Sequence, residues 1–220
     1  KTIYSLLEGA IFAKALADQC CKFKMPAVGI ADRANLFGAL EFSEVLSDNG
    51  IQPIIGCQLP MSFKEADLKK LRATERISML FLAKNELGYR NLMELSSKFF
   101  LNETYRFEGM SIREIDKFSD GLICLSGGDE SPINNLLKDN KIGEAENLLL
   151  HFKRTFGDRF YLEMNRHPLG ENYSKKVNIE GNILDLADKQ NLPLVATNDA
   201  YFLEKELYQP HDALLCIAEG

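Results

Sequence analysis

The chain has 220 residues, 45% of them hydrophobic and 26% charged, with 26 lysines and arginines against 32 aspartates and glutamates. That much apolar material closes one sizeable core or two small ones, which excludes a disordered chain. A net charge of -6 argues against a surface that grips a phosphate backbone unaided, and no run approaches the roughly 18 apolar residues of a membrane span.

The opening residues lack the basic-then-apolar pattern of a secretory signal, and the sequence begins with Lys1 rather than Met. The expectation is a soluble, cytoplasmic piece of a longer polypeptide. Cys20, Cys21, Cys57, Cys124 and Cys216 are odd in number and show no repeated C-x-x-C spacing, so they read as reduced, small core residues.

In chain order, short apolar runs at 27–31, 53–56, 79–83, 121–125, 160–163 and 194–197 have the length and composition of buried parallel strands. Helical periodicity lies between them. Tyr89, Leu92, Met93, Ser96 and Phe100 share one face, as do Ile142, Ala145, Leu149 and Phe152, and again Ile183, Leu184 and Ala187. Strand and helix alternating about six times predict an α/β domain with a parallel sheet, either barrel or doubly wound. Segments 60–75 and 102–120 are charged and irregular and read as surface loops or small excursions rather than a domain boundary, since no Pro- or Gly-rich linker appears.

In either architecture chemistry gathers at the carboxyl ends of the strands. The loops there begin at Asp32, Gly56, Ser126, Met164 and Asn198. Asp32, Asp199 and His167 are the obvious candidates for metal ligation or acid/base work. Of the other histidines, His151 reads as a solvated or core-edge residue of a helix and His211 as a helix-start residue. One loop imidazole with two carboxylates could hold a single weak ion but hardly a multinuclear centre. Arg33 argues against even that, because a guanidinium beside Asp32 would take the carboxylate into an ion pair. Ser126-Gly127-Gly128 could cradle a phosphate, but a tight turn at positive φ is the simpler reading. Ser5 and Ser126 lack the context of a nucleophile elbow.

Several strings together resemble a known family, the polymerase and histidinol phosphatase (PHP) domain at the amino end of the bacterial DNA polymerase III alpha subunit. They are Tyr4-Ser5-Leu6-Leu7-Glu8-Gly9-Ala10, Met25-Pro26-Ala27-Val28-Gly29-Ile30-Ala31-Asp32, Asn35-Leu36-Phe37-Gly38-Ala39-Leu40-Glu41-Phe42 and Ile51-Gln52-Pro53-Ile54-Ile55-Gly56-Cys57. Further along come Leu82-Ala83-Lys84-Asn85-Glu86-Leu87-Gly88-Tyr89-Arg90-Asn91-Leu92, Gly121-Leu122-Ile123-Cys124-Leu125-Ser126-Gly127-Gly128, Tyr161-Leu162-Glu163 with Arg166-His167, Val195-Ala196-Thr197-Asn198-Asp199 and His211-Asp212-Ala213-Leu214-Leu215-Cys216-Ile217. Each is weak alone; in family order across nearly the whole chain they are specific.

The resemblance implies a single PHP domain over residues 1–220, a distorted TIM-like barrel of about seven strands and helices. It also implies a metal site from which this sequence departs. Lys1 falls near the second member of the family's His-x-His pair. The family's Thr-Asp-His-Gly stands here as Ala31-Asp32-Arg33-Ala34, and its Gly-Cys-Glu as Gly56-Cys57-Gln58. Ser78, Gly128 and Tyr201 stand where the family has histidine, cysteine and histidine, while Glu8 and Asp199 remain, with His167 nearby. The expectation is a vestigial cleft without metal or cofactor of its own, in a domain that serves as structure and as the dock for a proofreading exonuclease subunit. The parent would be a DNA-directed DNA polymerase, with magnesium and DNA handled by its other parts and no membrane involved. The rival expectation is an active metal-dependent phosphoesterase or 3′-5′ exonuclease in the same cleft.

Overall fold

A computed structural model describes residues 1–63, 77–128, 131–165 and 173–219, with side chains at 173–178 and 219 excepted. Its strands are β1 (Ala27–Arg33), β2 (Gln52–Ser62), β3 (Ser78–Ala83), β4 (Met110–Ser111), β5 (Leu122–Leu125), β6 (Phe160–Asn165) and β7 (Leu194–Thr197). Its helices are α1 (Ala13–Lys22), α2 (Ala39–Asp48), α3 (Glu86–Leu101), α4 (Glu103–Glu108), α5 (Ile112–Lys117), α6 (Pro132–Lys138), α7 (Ile142–Phe156), α8 (Tyr173–Gln190) and α9 (Tyr208–Glu219). All six expected strands are present. The chain divides into two compact units, one of Lys1–Gln58 with Asp199–Gly220, the other of Leu59–Asn198.

The first unit is built on a strand-helix-strand step. In α1, Ala13, Ala17 and Cys20 recur at helical spacing and are buried. The helix stops where Lys24 takes a left-handed φ of 55° and Met25 N–H returns to the Cys20 carbonyl at 2.9 Å; Pro26 then forbids continuation. β1 runs parallel to β2, with Asp32 opposite Cys57 and Arg33 opposite Gln58. Between them α2 ends at Gly50, whose φ of 71° suits a residue without Cβ. Ala13, Ala17, Cys20, Ile30, Phe42, Leu46 and Ile51 close the core of this unit.

The second unit carries the far end of β2 and the remaining strands. β4 pairs with β2 at Met61 and Met110, β5 runs parallel to β6, and β6 parallel to β7. β3 pairs antiparallel with β5, a correction to the expected all-parallel sheet. β7 is a further correction, since its residues are exposed or half-exposed rather than buried. α3 is capped by the Asn85 side chain, which accepts from Gly88 N–H at 3.0 Å, and Gly88 is required because a Cβ there would strike the Gly121 carbonyl. Phe81, Phe152, Phe156 and Phe160 meet at ring separations of 5.8 to 6.4 Å in the core beside β3, β6 and α7.

The helical faces are shifted from the expected ones. Leu92 and Ser96 are buried as read, but Met93 and Phe100 are exposed and Leu95 is buried in their place. Ile142 and Leu184 are likewise exposed, the buried stripes running through Leu148 and Leu186 instead. Segment 102–120 is not a loop: it holds α4, β4 and α5, with Met110 and Ile115 fully buried. Of 60–75, residues 60–62 close β2, Phe63 is buried, and 64–75 lie outside the described residues. Among the cysteines, Cys20, Cys57 and Cys124 are buried and Cys21 and Cys216 exposed, all five free thiols. The core assignment therefore holds for three of them.

Candidate functional site

Asp32 sits at the end of β1 and is 3% exposed. One carboxylate oxygen accepts from Thr2 N–H at 2.7 Å and from the Ser5 hydroxyl at 2.6 Å; the other accepts from the Thr2 hydroxyl at 2.6 Å. Both hydroxyls are used twice, Ser5 Oγ accepting from Arg33 N–H at 3.1 Å and Thr2 Oγ1 from Tyr4 N–H at 3.2 Å. A buried carboxylate is stable only when its lone pairs are met, and here three donors from residues 2–5 meet them.

Arg33 is the next residue, and its ion pair is with Glu8. Arg33 Nε donates to the two Glu8 carboxylate oxygens at 2.7 and 3.0 Å, both side chains being about one-fifth exposed. The ion pair seen is thus with Glu8, where one with Asp32 was expected. Adjacent strand residues project to opposite faces, so Arg33 turns away from Asp32, while the turn that returns Glu8 N–H and Gly9 N–H to the Ser5 carbonyl brings Glu8 to meet it. Gly9 is sterically obligatory, because a Cβ there would collide with the Thr2 carbonyl. Across the sheet, the Lys1 ammonium donates to Gln58 Oε1. Burial pushes the neighbouring Cys57 thiol up to about 12, the charge of Lys1 opposing that rise.

Tyr201 and His211 complete this unit's cluster. The Tyr201 carbonyl accepts from Ala10 N–H at 2.8 Å. His211, in the first turn of α9 as expected, is buried; its Nε2–H donates to the Glu8 carbonyl at 2.7 Å, with its ring centroid 5.6 Å from that of Tyr201 and 5.1 Å from that of Phe202. Asp199 is exposed. His151 pairs with Asp116 at 3.0 Å on the rim of α7, a core-edge role.

Of the sequence-predicted cleft residues, Glu8, Asp32, Arg33, Gln58, Asp199 and Tyr201 belong to the first unit, and Ser78 and Gly128 to the second. His167 lies outside the described residues. Ser78 is buried at the start of β3. Gly127 and Gly128 have φ of 101° and 54°, the tight turn expected of them. A Cβ on Gly128 would lie 2.7 Å from Asn165 Nδ2. Sequence reasoning missed Thr2, and it weighed Ser5 only as a nucleophile; their hydroxyls prove to be Asp32's partners, a role with no spacing signature. It also missed a second buried carboxylate, Glu163, which accepts from Gly127 N–H at 3.0 Å and from the Thr197 hydroxyl at 2.5 Å. Among the described residues no three His, Cys, Asp or Glu side chains are grouped as metal ligands would be.

Residues 1–167 match the PHP domain family, and the chain belongs to it. Its relatives include proteins named DNA polymerase III subunit alpha from Caulobacter vibrioides, 43% identical over all of this chain, from Rickettsia bellii, 35% identical over 99% of it, and from Borreliella burgdorferi, 33% identical over 99%. The chain spans only 19%, 18% and 19% of their respective lengths. A solved amidohydrolase from Chromobacterium violaceum, determined with sulfate bound and no metal, shares the fold at TM-score 0.51 and 10% identity, covering 94% of this chain and 93% of its own. The expected α/β class of TIM-like kind stands on that likeness and on the strand-helix order.

Proposed function

We propose that this chain is the PHP module of a DNA polymerase III alpha subunit whose ancestral metal cleft has become an internally neutralised structural joint. The observation that carries the reading is the Arg33–Glu8 ion pair beside an Asp32 whose oxygens are filled by Thr2 and Ser5. A divalent ion needs carboxylate and imidazole donors free to converge on it. Here a guanidinium holds one carboxylate, hydroxyl and amide protons hold the other, and an ammonium faces Gln58. The described donor set does not fit a metal, and no chemical step is derived through one.

The module's work is then packing and docking, which rest on shape and apolar burial. Its partners are the rest of the alpha subunit and the proofreading exonuclease subunit, with DNA met through the parent. The parent carries out templated nucleotidyl transfer in the cytoplasm with magnesium bound elsewhere. No described helix is long and apolar enough to cross a membrane.

Metal analysis of the purified parent subunit, joined to a nuclease assay on single-stranded DNA in manganese, tests this. The expected result is no stoichiometric metal at the PHP module and no turnover sensitive to Asp199→Ala. Tightly bound metal with turnover abolished by Asp199→Ala would establish the phosphoesterase reading instead.

A further inference from the structure

α2 ends on the only Asn-Gly pair in the sequence, Asn49-Gly50, and both residues are exposed. Such a pair carries a latent reaction within itself. The side-chain amide carbon is an electrophile, and the next backbone nitrogen is a nucleophile that no side chain shields. Shielding is least here, since nothing lies within 4 Å of where a Gly50 Cβ would be. Chemistry of this kind is a reason asparagine counts among the thermolabile residues.

The helix end holds the two reacting groups apart. Asn49 Nδ2, the nitrogen that would leave, donates to the Val45 carbonyl at 2.8 Å. The Gly50 N–H, on the nitrogen that would attack, donates to the Ser47 carbonyl at 2.9 Å. Asn49 N–H and Ile51 N–H both return to the Leu46 carbonyl, at 3.1 and 3.0 Å, and the left-handed φ of Gly50 lets the chain close this turn. Beyond it Ile51 enters the core of the first unit, and Gln52 N–H donates to the Pro26 carbonyl at 2.9 Å where β2 starts beside β1. Residues 49–51 are thus the whole link between α2 and β2.

We propose that Asn49 is a self-modifying site whose deamidation is gated by the last turn of α2. When that turn opens, the Gly50 nitrogen bonds to Asn49 Cγ and the Cγ–Nδ2 bond breaks. Ammonia leaves, taking up the proton that Gly50 gives up, and a cyclic imide remains. Water then opens the imide at either carbonyl. One opening gives aspartate; the other gives isoaspartate, with the main chain rerouted through the side-chain carbon. No electrons are exchanged with any other group. Either product puts an anion where a donor to the Val45 carbonyl stood, at the negative end of a helix and beside Asp48. Isoaspartate also adds a methylene to the short link that delivers Ile51 to the core. The turn that guards the bond is weakened by its own reaction.

The test ages the full-length parent subunit at mildly alkaline pH beside a synthetic peptide of residues 44–54, and maps position 49 by mass and by isoaspartyl methyl transfer. Both products should form at Asn49 in the folded protein, at least about tenfold more slowly than in the peptide, because reaction waits on local opening. Ser47→Gly, an exposed position where glycine weakens the helix end, should speed conversion about twofold. Asparagine intact at 49 after the peptide has converted would overturn the site. A smaller slowing, or a rate that Ser47→Gly leaves alone, would overturn the gate. Hydrogen exchange over residues 46–52 should quicken on ageing in the native sequence and stay constant in Asn49→Ser; equal exchange in both would refute the loosening.

Discussion

Of the three buried carboxylates among the described residues, Asp32 in the first unit and Glu163 in the second are stabilised in different ways. Around Asp32 the solution is dense and charged: three donors on its own oxygens and, one residue on, the Arg33–Glu8 ion pair. Around Glu163 the named partners are neutral, the Gly127 N–H and the Thr197 hydroxyl, while the Ser126 hydroxyl accepts from Glu163 N–H at 3.0 Å. The first arrangement ties residues 2–9, distant in sequence, to a strand end. The second knits together the ends of β5, β6 and β7. The first cluster thus joins neutral donors to an ion pair, whereas the partners named for the second are an amide and a hydroxyl at strand ends.

Four measurements break or sharpen this contrast. The largest effect is expected from Asp32→Ala, which leaves the Thr2 N–H and the Thr2 and Ser5 hydroxyls buried without their acceptor. A loss of about 3 kcal/mol in urea unfolding is expected, in line with the penalty for stranded donors; an unchanged midpoint would show that residues 2–9 are not held through this carboxylate. Next comes Arg33→Ala, which takes the guanidinium from the Glu8 carboxylate and should cost about 2 kcal/mol. In a double-mutant cycle with Glu8→Gln the pair should couple by about 1 to 2 kcal/mol; additivity would mean the ion pair contributes nothing.

Glu163→Gln is expected to cost less, about 1 kcal/mol, because an amide oxygen can still accept from one of the two donors. A loss as large as that of Asp32→Ala would erase the distinction between the clusters. The smallest effect concerns acid. The Lys117 hydrogen bond holds Glu114 below its ordinary value of 4.5, burial opposing it. A depressed folded value means the contribution is complete above the unfolded value and is lost as pH falls through the folded one. Acid titration of stability below about pH 4.5 should therefore flatten slightly in Lys117→Met, and identical curves would show that the contact is not populated in solution.

Much of the fold was legible because strand runs such as Leu122–Leu125 and Phe160–Asn165 are short, apolar and bounded by turn residues. Pairing direction was not. The antiparallel meeting of β3 and β5 leaves no mark on composition, since a run buried on both faces reads the same either way. The helices of 102–120 escaped notice because at six residues each they are too short and too charged for periodicity to register. Glu8, Asp32 and Arg33 were singled out from loop position and motif order, but Glu8 was not foreseen as the partner of Arg33.

The sequence by itself determined the alternation of strand and helix and the family, because these are properties of residue identity and order. The tertiary structure decided who holds whom. The turn over 5–9 carries Glu8 to Arg33, and the hydroxyls of Thr2 and Ser5 to Asp32. Side-chain direction alternates along a strand while loop closure is set by backbone geometry, so neighbours in sequence part and residues 25 to 30 positions apart meet.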